Sequence, residues 1–243
     1  MTLTDEELWS WSQGRAIGKI TPRDVELAWD VAHLLPLLYV IPRYVERHPE
    51  DKTVFLEIGT ADGSSALPML RAAAEVGGHL HSVDPDRCED AHRLVATFGY
   101  ESYWTHHQTY SDEFFKTFRE TIDFSFIDGD HRWPVIERDI LNCYERTRTG
   151  GIVWVSDLNP LRMPYTPYEQ EYDGPEFTPH ASGTIHEAQS SCGVSKALLR
   201  AWPKLRGATA INLPLKCNPS AVIRKPHDHE LLGDVARWRS PGE

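Results

Sequence analysis

Cysteine is scarce in this chain and widely spaced: Cys88, Cys143, Cys192 and Cys217 are the four, and no two of them form a C-x-x-C pair. That spacing excludes a zinc ribbon and a disulfide framework, and it leads to the expectation of a reduced, cytoplasmic setting. Long apolar runs are missing too. No stretch approaches the ~20 apolar residues of a membrane-spanning helix, and the acidic residues 1–11 hold no apolar core of a secretory signal. Nor is there a Lys/Arg block, since 25 basic residues are scattered against 36 acidic ones for a formal net charge of −11. Contact with a nucleic-acid backbone depends on clustered basic side chains, so neither nucleic acid nor membrane is expected as a partner. Internal repeats and low-complexity tracts are likewise missing. The 243 residues suit one large domain, or one with appendages, able to bury a sizeable core.

What is present is organised around residues 53–65, Thr-Val-Phe-Leu-Glu-Ile-Gly-Thr-Ala-Asp-Gly-Ser-Ser. Residues 54–58 read as a short buried strand, Gly59 and Gly63 bracket a turn, and residues 64–74 continue with helical spacing rich in Ala and Leu. A strand, a glycine turn and a helix start make a small-ligand cradle, because the backbone can approach a ligand closely and the helix start offers unpaired N–H groups. A dinucleotide fingerprint needs three glycines in six positions; here the spacing is Glu-x-Gly-x-x-x-Gly. The carboxylate of Glu57 would repel a pyrophosphate and suits a cationic ligand bearing an amino group. On these residues the chain resembles the class I S-adenosylmethionine-dependent methyltransferases. The resemblance implies that Glu57, Gly59, Thr60, Gly63 and Ser64 surround the methionine part of that cofactor.

From residue 53 onward strand and helix patterns alternate, which predicts an α/β fold with a doubly wound, mostly parallel sheet. The second strand is expected over residues 79–83, ending in Val-Asp-Pro-Asp. An acid at that place can accept from both ribose hydroxyls of an adenosine; Asp84 is the candidate and Asp86 the fallback. A helix over about 89–98 leads to a third strand near 103–106. In the resembling family the next loop lies along the adenine, which makes Tyr110 and Ser111 candidate contacts; Ser111 reads equally as a helix N-cap.

Residues 122–131 then read as a strand delivering Asp128, Asp130 and His131 at its C-terminal end, where ligands of open α/β sheets bind. The run I-D-G-D-H with Arg138-Asp139-Ile140 beyond it resembles the branch that includes small-molecule O-methyltransferases. A fifth strand, 152–157, follows a Gly150-Gly151 turn and ends in Asp157. Asp128 and Asp157 end adjacent strands and can converge on one hard cation such as Mg2+. Metal-dependent relatives carry a further carboxylate or amide directly beside the second acid; here Ser156 and Leu158 are the neighbours, and an amide appears only at Asn159. A metal set of Asp128, Asp157 and Asn159 is therefore one expectation. The other is His131 as general base, with Asp128 counted both beside the cofactor and in the catalytic pair.

The resulting organisation is an N-terminal helical extension over 1–50, a methyltransferase domain over 51–225 with a Pro- and Tyr-rich lid insertion at about 158–190, and a tail over 226–243. In the extension, residues 4–13 read as a short helix, and a longer one begins at Thr21-Pro22 and ends near Pro36 or continues kinked to Arg47. The extension is expected to cover an edge of the cofactor site or to pair with a second copy in a homodimer. The lid contributes His180 and His186 as weaker candidate bases. The resemblance completes a Rossmann-like seven-stranded sheet whose last strand is antiparallel, with final strands at 208–213 and 221–224. The activity it implies is methyl transfer to a hydroxyl of a small molecule: a natural product, sugar or phenol. Rival readings are an inactive cofactor-binding scaffold and an NAD-type oxidoreductase, which the absent third glycine disfavours.

Overall fold

A computed structural model of the protein describes residues 35–45, 52–157, 194, 197–213 and 220–227. The lid insertion with His180 and His186, Asn159, the helices expected before residue 35 and most of the tail lie outside the described residues. Five helices and seven strands follow in chain order among those described: α1 (Leu35–Tyr44), β1 (Val54–Ile58), α2 (Ala66–Val76), β2 (His79–Asp84), α3 (Glu89–Phe98), β3 (Trp104–Gln108), α4 (Ser111–Thr117), β4 (Ile122–Ile127), α5 (Trp133–Arg146), β5 (Thr147–Val155), β6 (Thr209–Leu213) and β7 (Ser220–Arg224).

The sheet order is β3-β2-β1-β4-β5-β7-β6. Strands β1 to β5 pair in parallel, and β7 runs antiparallel to both β5 and β6. This is the Rossmann-like seven-stranded sheet expected from the sequence. The chain winds outward from β1 through β2 to β3, then returns to lay β4 on the other side of β1. A crevice opens at that reversal, outside the carboxyl ends of β1 and β4.

Both faces of the sheet are covered, which is why β1 is buried at all five positions. Phe55, Phe124, Phe126 and Trp154 pack with the apolar sides of α2 and α3 on one face. Val54, Leu56 and Ile58 pack with α4, α5 and with Val194, Ala197, Ala201 and Leu205 on the other. Helix α1, read from sequence as part of an extension, joins the first of these cores: Leu38 and Tyr39 are buried in it, and the Tyr39 hydroxyl donates to Glu75 of α2 at 2.8 Å. As described, the helix spans Leu35–Tyr44 and carries Pro42 within it.

At the opposite end of the sheet a buried acid ties three strands. Asp123 of β4 accepts from the Val54 backbone N–H at 2.7 Å and faces the Arg148 guanidinium of β5 at 2.8 Å. The Gly150-Gly151 pair, expected as a turn before the strand, lies within β5. Ile122 pairs with Thr147 but Phe124 with Ile152, so the intervening residues bulge out of the ladder. The bulge is held by Gly150 N–H donating to the Lys225 carbonyl at 2.8 Å.

Candidate active site

The turn after β1 takes its shape from backbone sterics. Gly59 has φ +90°, and a Cβ placed there would lie 2.3 Å from the Asp128 carbonyl oxygen; the β1 turn and the end of β4 can approach this closely only with glycine. Gly63, at φ +85°, would drive a Cβ to 2.8 Å from Ala91 of α3. Between them Asp62 accepts from the Ser64 N–H at 3.0 Å and from its hydroxyl. Burial raises the Asp62 pKa, which those hydrogen bonds partly offset. Thr60 is buried, and its hydroxyl meets no hydrogen-bond partner among the described residues. A buried hydroxyl left unpaired in a glycine turn is a vacancy in the hydrogen-bond accounting that a polar ligand would fill.

Two acids expected to touch the cofactor are occupied by the protein itself. Asp84 Oδ2 accepts from the N–H groups of Thr60 at 2.9 Å and Ala61 at 3.1 Å, and Oδ1 from Asp86 N–H at 2.9 Å. The Cys88 thiol donates to the same carboxylate; burial and the Asp84 charge push that thiol up to about 12. A carboxylate has about four lone-pair sites, so Asp84 binds the glycine turn to the end of β2, while Asp86 stands exposed beside it. Glu57, expected beside the methionine part of the cofactor, is fully buried. Its Oε1 accepts from Ser65 and its Oε2 from Ser82, both at 2.6 Å. Burial pushes its carboxyl up to about 7, with Asp128 and Asp84 adding to the rise and the two hydroxyls opposing it. In the fold, donors from the residue before α2, from β2 and from the glycine turn reach these carboxylates.

The acids at the ends of β4 and β5 are arranged differently. One ligand-type atom from each of Asp128, His131 and Asp157 lies within 4.8 Å of the others. His131 Nε2 is 3.3 Å from Asp128 Oδ1 and 3.7 Å from Asp157 Oδ2. Asp157 reaches inward because its backbone is left-handed, φ +57°, a conformation that Asp tolerates better than most residues. Burial works against the imidazolium of His131, but the Asp128 hydrogen bond and the charges of Asp128, Asp157 and Asp130 outweigh it and raise the pKa above its ordinary value. Asp130 is engaged elsewhere: Arg132 binds it through its backbone N–H at 3.0 Å and Nε at 2.7 Å.

Tyr110 is 67 % exposed at the end of β3. Ser111 is the first residue of α4, and its hydroxyl bonds Asp139 of α5. Burial pushes the Asp139 carboxyl up to about 6 in spite of that bond. Thus the R-D-I motif serves to hold α5 against α4. Sequence reasoning missed Ser65, Ser82 and Trp104, which wire Glu57 in place; an inward-facing serine amid apolar strand residues was the available signal.

This geometry, a glycine cradle at the switch point of a seven-stranded sheet with acids and a histidine at the adjoining strand ends, is that of a Rossmann-like candidate ligand site. Residues 56–158 match the sequence model of a methyltransferase domain. A search of curated protein sequences finds no match. Among solved structures, the O-methyltransferase TomG of Streptomyces achromogenes, involved in tomaymycin synthesis, superposes with a TM-score of 0.59 at 18% identity, covering 93% of this chain and 92% of its own. An O-methyltransferase of Bacillus cereus gives 0.54 at 15% identity, covering 92% of each chain. The Podospora anserina methyltransferase PaMTH1 gives 0.55 at 14% identity, covering 93% and 90%. At such identities the likeness is one of fold. No helix among the described residues is long and apolar enough to cross a membrane.

Proposed function

We propose that the protein binds S-adenosylmethionine over the Gly59–Gly63 turn and transfers its methyl group to a hydroxyl oxygen of a small molecule. The observation that carries this reading is the convergence of His131 with Asp128 and Asp157 at the carboxyl ends of β4 and β5, next to the point where Gly59 meets the Asp128 backbone. The unpaired Thr60 hydroxyl fits a polar cofactor in the turn. The cofactor supplies an electrophilic methyl group, so the protein's task is to align the acceptor oxygen and remove its proton. With Nε2–H donated to Asp128, Nδ1 of His131 is the ring nitrogen that takes the proton; Asp128 and Asp157 stabilise the imidazolium that forms. The acidic balance of the chain favours a small acceptor over a nucleic acid.

A second reading is favoured by the same convergence. Two carboxylates and an imidazole within 4.8 Å of one another fit a divalent cation, which would lower the pKa of the acceptor hydroxyl. An imidazole ligand suits Mn2+, Fe2+ or Zn2+ better than it suits Mg2+, which favours oxygen. In this reading His131 replaces the amide that the sequence pattern sought at Asn159.

Calorimetric titration with S-adenosylmethionine and S-adenosylhomocysteine, followed by turnover with a panel of hydroxylated small molecules with and without EDTA, tests both. Turnover that survives EDTA and is lost in His131→Ala supports the base. Turnover abolished by EDTA and restored by Mn2+ supports the metal. Failure of both cofactor forms to bind refutes the proposal, and tight cofactor binding without turnover of any acceptor would leave a binding scaffold as the better reading.

A further inference from the structure

Two histidines face each other at the β3 edge of the sheet, with β2 and β1 standing between them and the strand-end cluster of β4 and β5. His92 closes the first turn of α3 and is exposed; His106 lies on β3 and is half-buried. His92 Nε2 stands 3.1 Å from His106 Nδ1. Two ring nitrogens bound side by side to one ion, each at roughly 2.0–2.1 Å, are about 3 Å apart. The observed spacing therefore asks for a tilt of the rings and no shift of the backbone. The other imidazole pair, His81 with His107 at 3.0 Å, is closed off, because His81 is buried and its second nitrogen faces Glu120.

The surroundings of the exposed pair suit a cation. Asp84 is the negative charge acting on His106. Glu89 and Asp90 share the first turn of α3 with His92 and counter the positive end of that helix. Burial, followed by His92, lowers the His106 pKa, which keeps the ring in the neutral form that ligates metal. His106 Nε2 is buried without a well-aligned partner. Ligation through Nδ1 would fix the proton at Nε2, and the Asp84 backbone carbonyl, which acts on this ring, offers the acceptor. A ligating histidine is commonly held by such a carbonyl on its far side.

We infer that His92 and His106 form a metal site separate from the strand-end cluster, one that takes a divalent transition ion such as Zn2+ or Cu2+ with water completing its coordination. Imidazole suits these ions, whereas Mg2+ favours oxygen. The bound ion clamps α3 to the edge strand β3. It also adjoins Trp104, whose ring lies 4.7 Å from that of His92 and stacks on that of His106. Because the folded chain alone brings the two rings together, the ion stabilises that state.

The test is titration of untagged, EDTA-dialysed protein with ZnCl2 and with CuCl2, in a His131→Ala background that removes the imidazole of the strand-end cluster. Zn2+ is expected to bind and to raise the thermal unfolding midpoint, and Cu2+ to quench tryptophan fluorescence. His92→Gln added to that background keeps a hydrogen bond to His106 but removes one ligand. It is expected to weaken Zn2+ binding by about tenfold or more and to lose both the midpoint rise and the quenching. His92 is exposed, so this substitution leaves the core intact. If His131→Ala does not fold, the same difference is read between His92→Gln and the wild type. Absence of Zn2+ binding, or binding that His92→Gln leaves unchanged, overturns the inference. Neither result bears on S-adenosylmethionine binding, so the proposed function stands or falls separately.

Discussion

His81 supplies a stability prediction that the geometry makes quantitative. It sits on β2 with 7% of its surface exposed, its Nδ1 3.0 Å from Nε2 of His107 and its ring edge-on to Phe118. Burial, followed by the neighbouring His79, His107 and Lys52, depresses its pKa from 6.5 to about 3. The folded state therefore holds His81 neutral while the unfolded chain protonates it as pH falls below 6.5, so stability is lost on acidification from there down to the folded pKa. At pH 5 the unfolded chain has taken up the proton and the folded one has not, and the loss is about 2 kcal/mol. That figure depends on the unfolded pKa alone, because pH 5 lies well above the folded value. Other groups titrate in the same window, so the measurement is a difference. Urea unfolding at pH 7 and pH 5, for the wild type and for His81→Gln, is expected to show the wild type losing about 2 kcal/mol more between the two pH values than the variant. The competing outcome has a named cause: Glu120 Oε1 lies 3.3 Å from His81 Nε2. If the two proteins lose the same stability, that carboxylate holds the imidazolium in the folded state and the reasoning is refuted.

Three further outcomes follow from the packing. Asp123→Ala leaves the buried Arg148 guanidinium without its acid and the Val54 N–H without its acceptor; a loss of roughly 3–5 kcal/mol is expected in urea unfolding, and a loss below 1 kcal/mol would show that water reaches the pair. Gly59→Ala places a methyl against the Asp128 backbone and is expected to abolish cofactor binding in titration calorimetry. Asp157→Asn removes one of the charges that raise the His131 pKa. An NMR titration of the ring is expected to show its midpoint shifted toward lower pH, while an unchanged midpoint would place Asp157 out of electrostatic reach.

The fold was legible where local pattern and burial agree. The mostly apolar runs of β1 and β4 and the helical spacing after Gly63 mark elements close to those observed. Segment ends were less so. Gly150-Gly151 reads as a turn from composition, yet both glycines lie in a bulge of β5 because β7 is there to accept and donate hydrogen bonds. The approach of Asp157 to His131 depends on one left-handed residue at the end of β5, and Asp in that conformation leaves no mark on hydrophobic periodicity. Helix α1 looked like an appendage because its partner surface, α2, is distant in sequence.

The acids near the sheet's carboxyl edge show why residue type alone could not assign their roles. Glu57, Asp84, Asp128 and Asp157 look alike in sequence, each at or near the end of a strand. In the fold, Asp84 is surrounded by backbone N–H groups of a turn it helps to shape, and Glu57 by two serine hydroxyls. Donors that close in on an acid in this way fasten it to its own fold. Asp128 and Asp157 differ because the partner they share is an imidazole, a group that can give up a proton or take a metal. Chemistry is therefore expected where the partner is exchangeable. That criterion separates the β4 and β5 ends from the β1 and β2 ends of the same sheet.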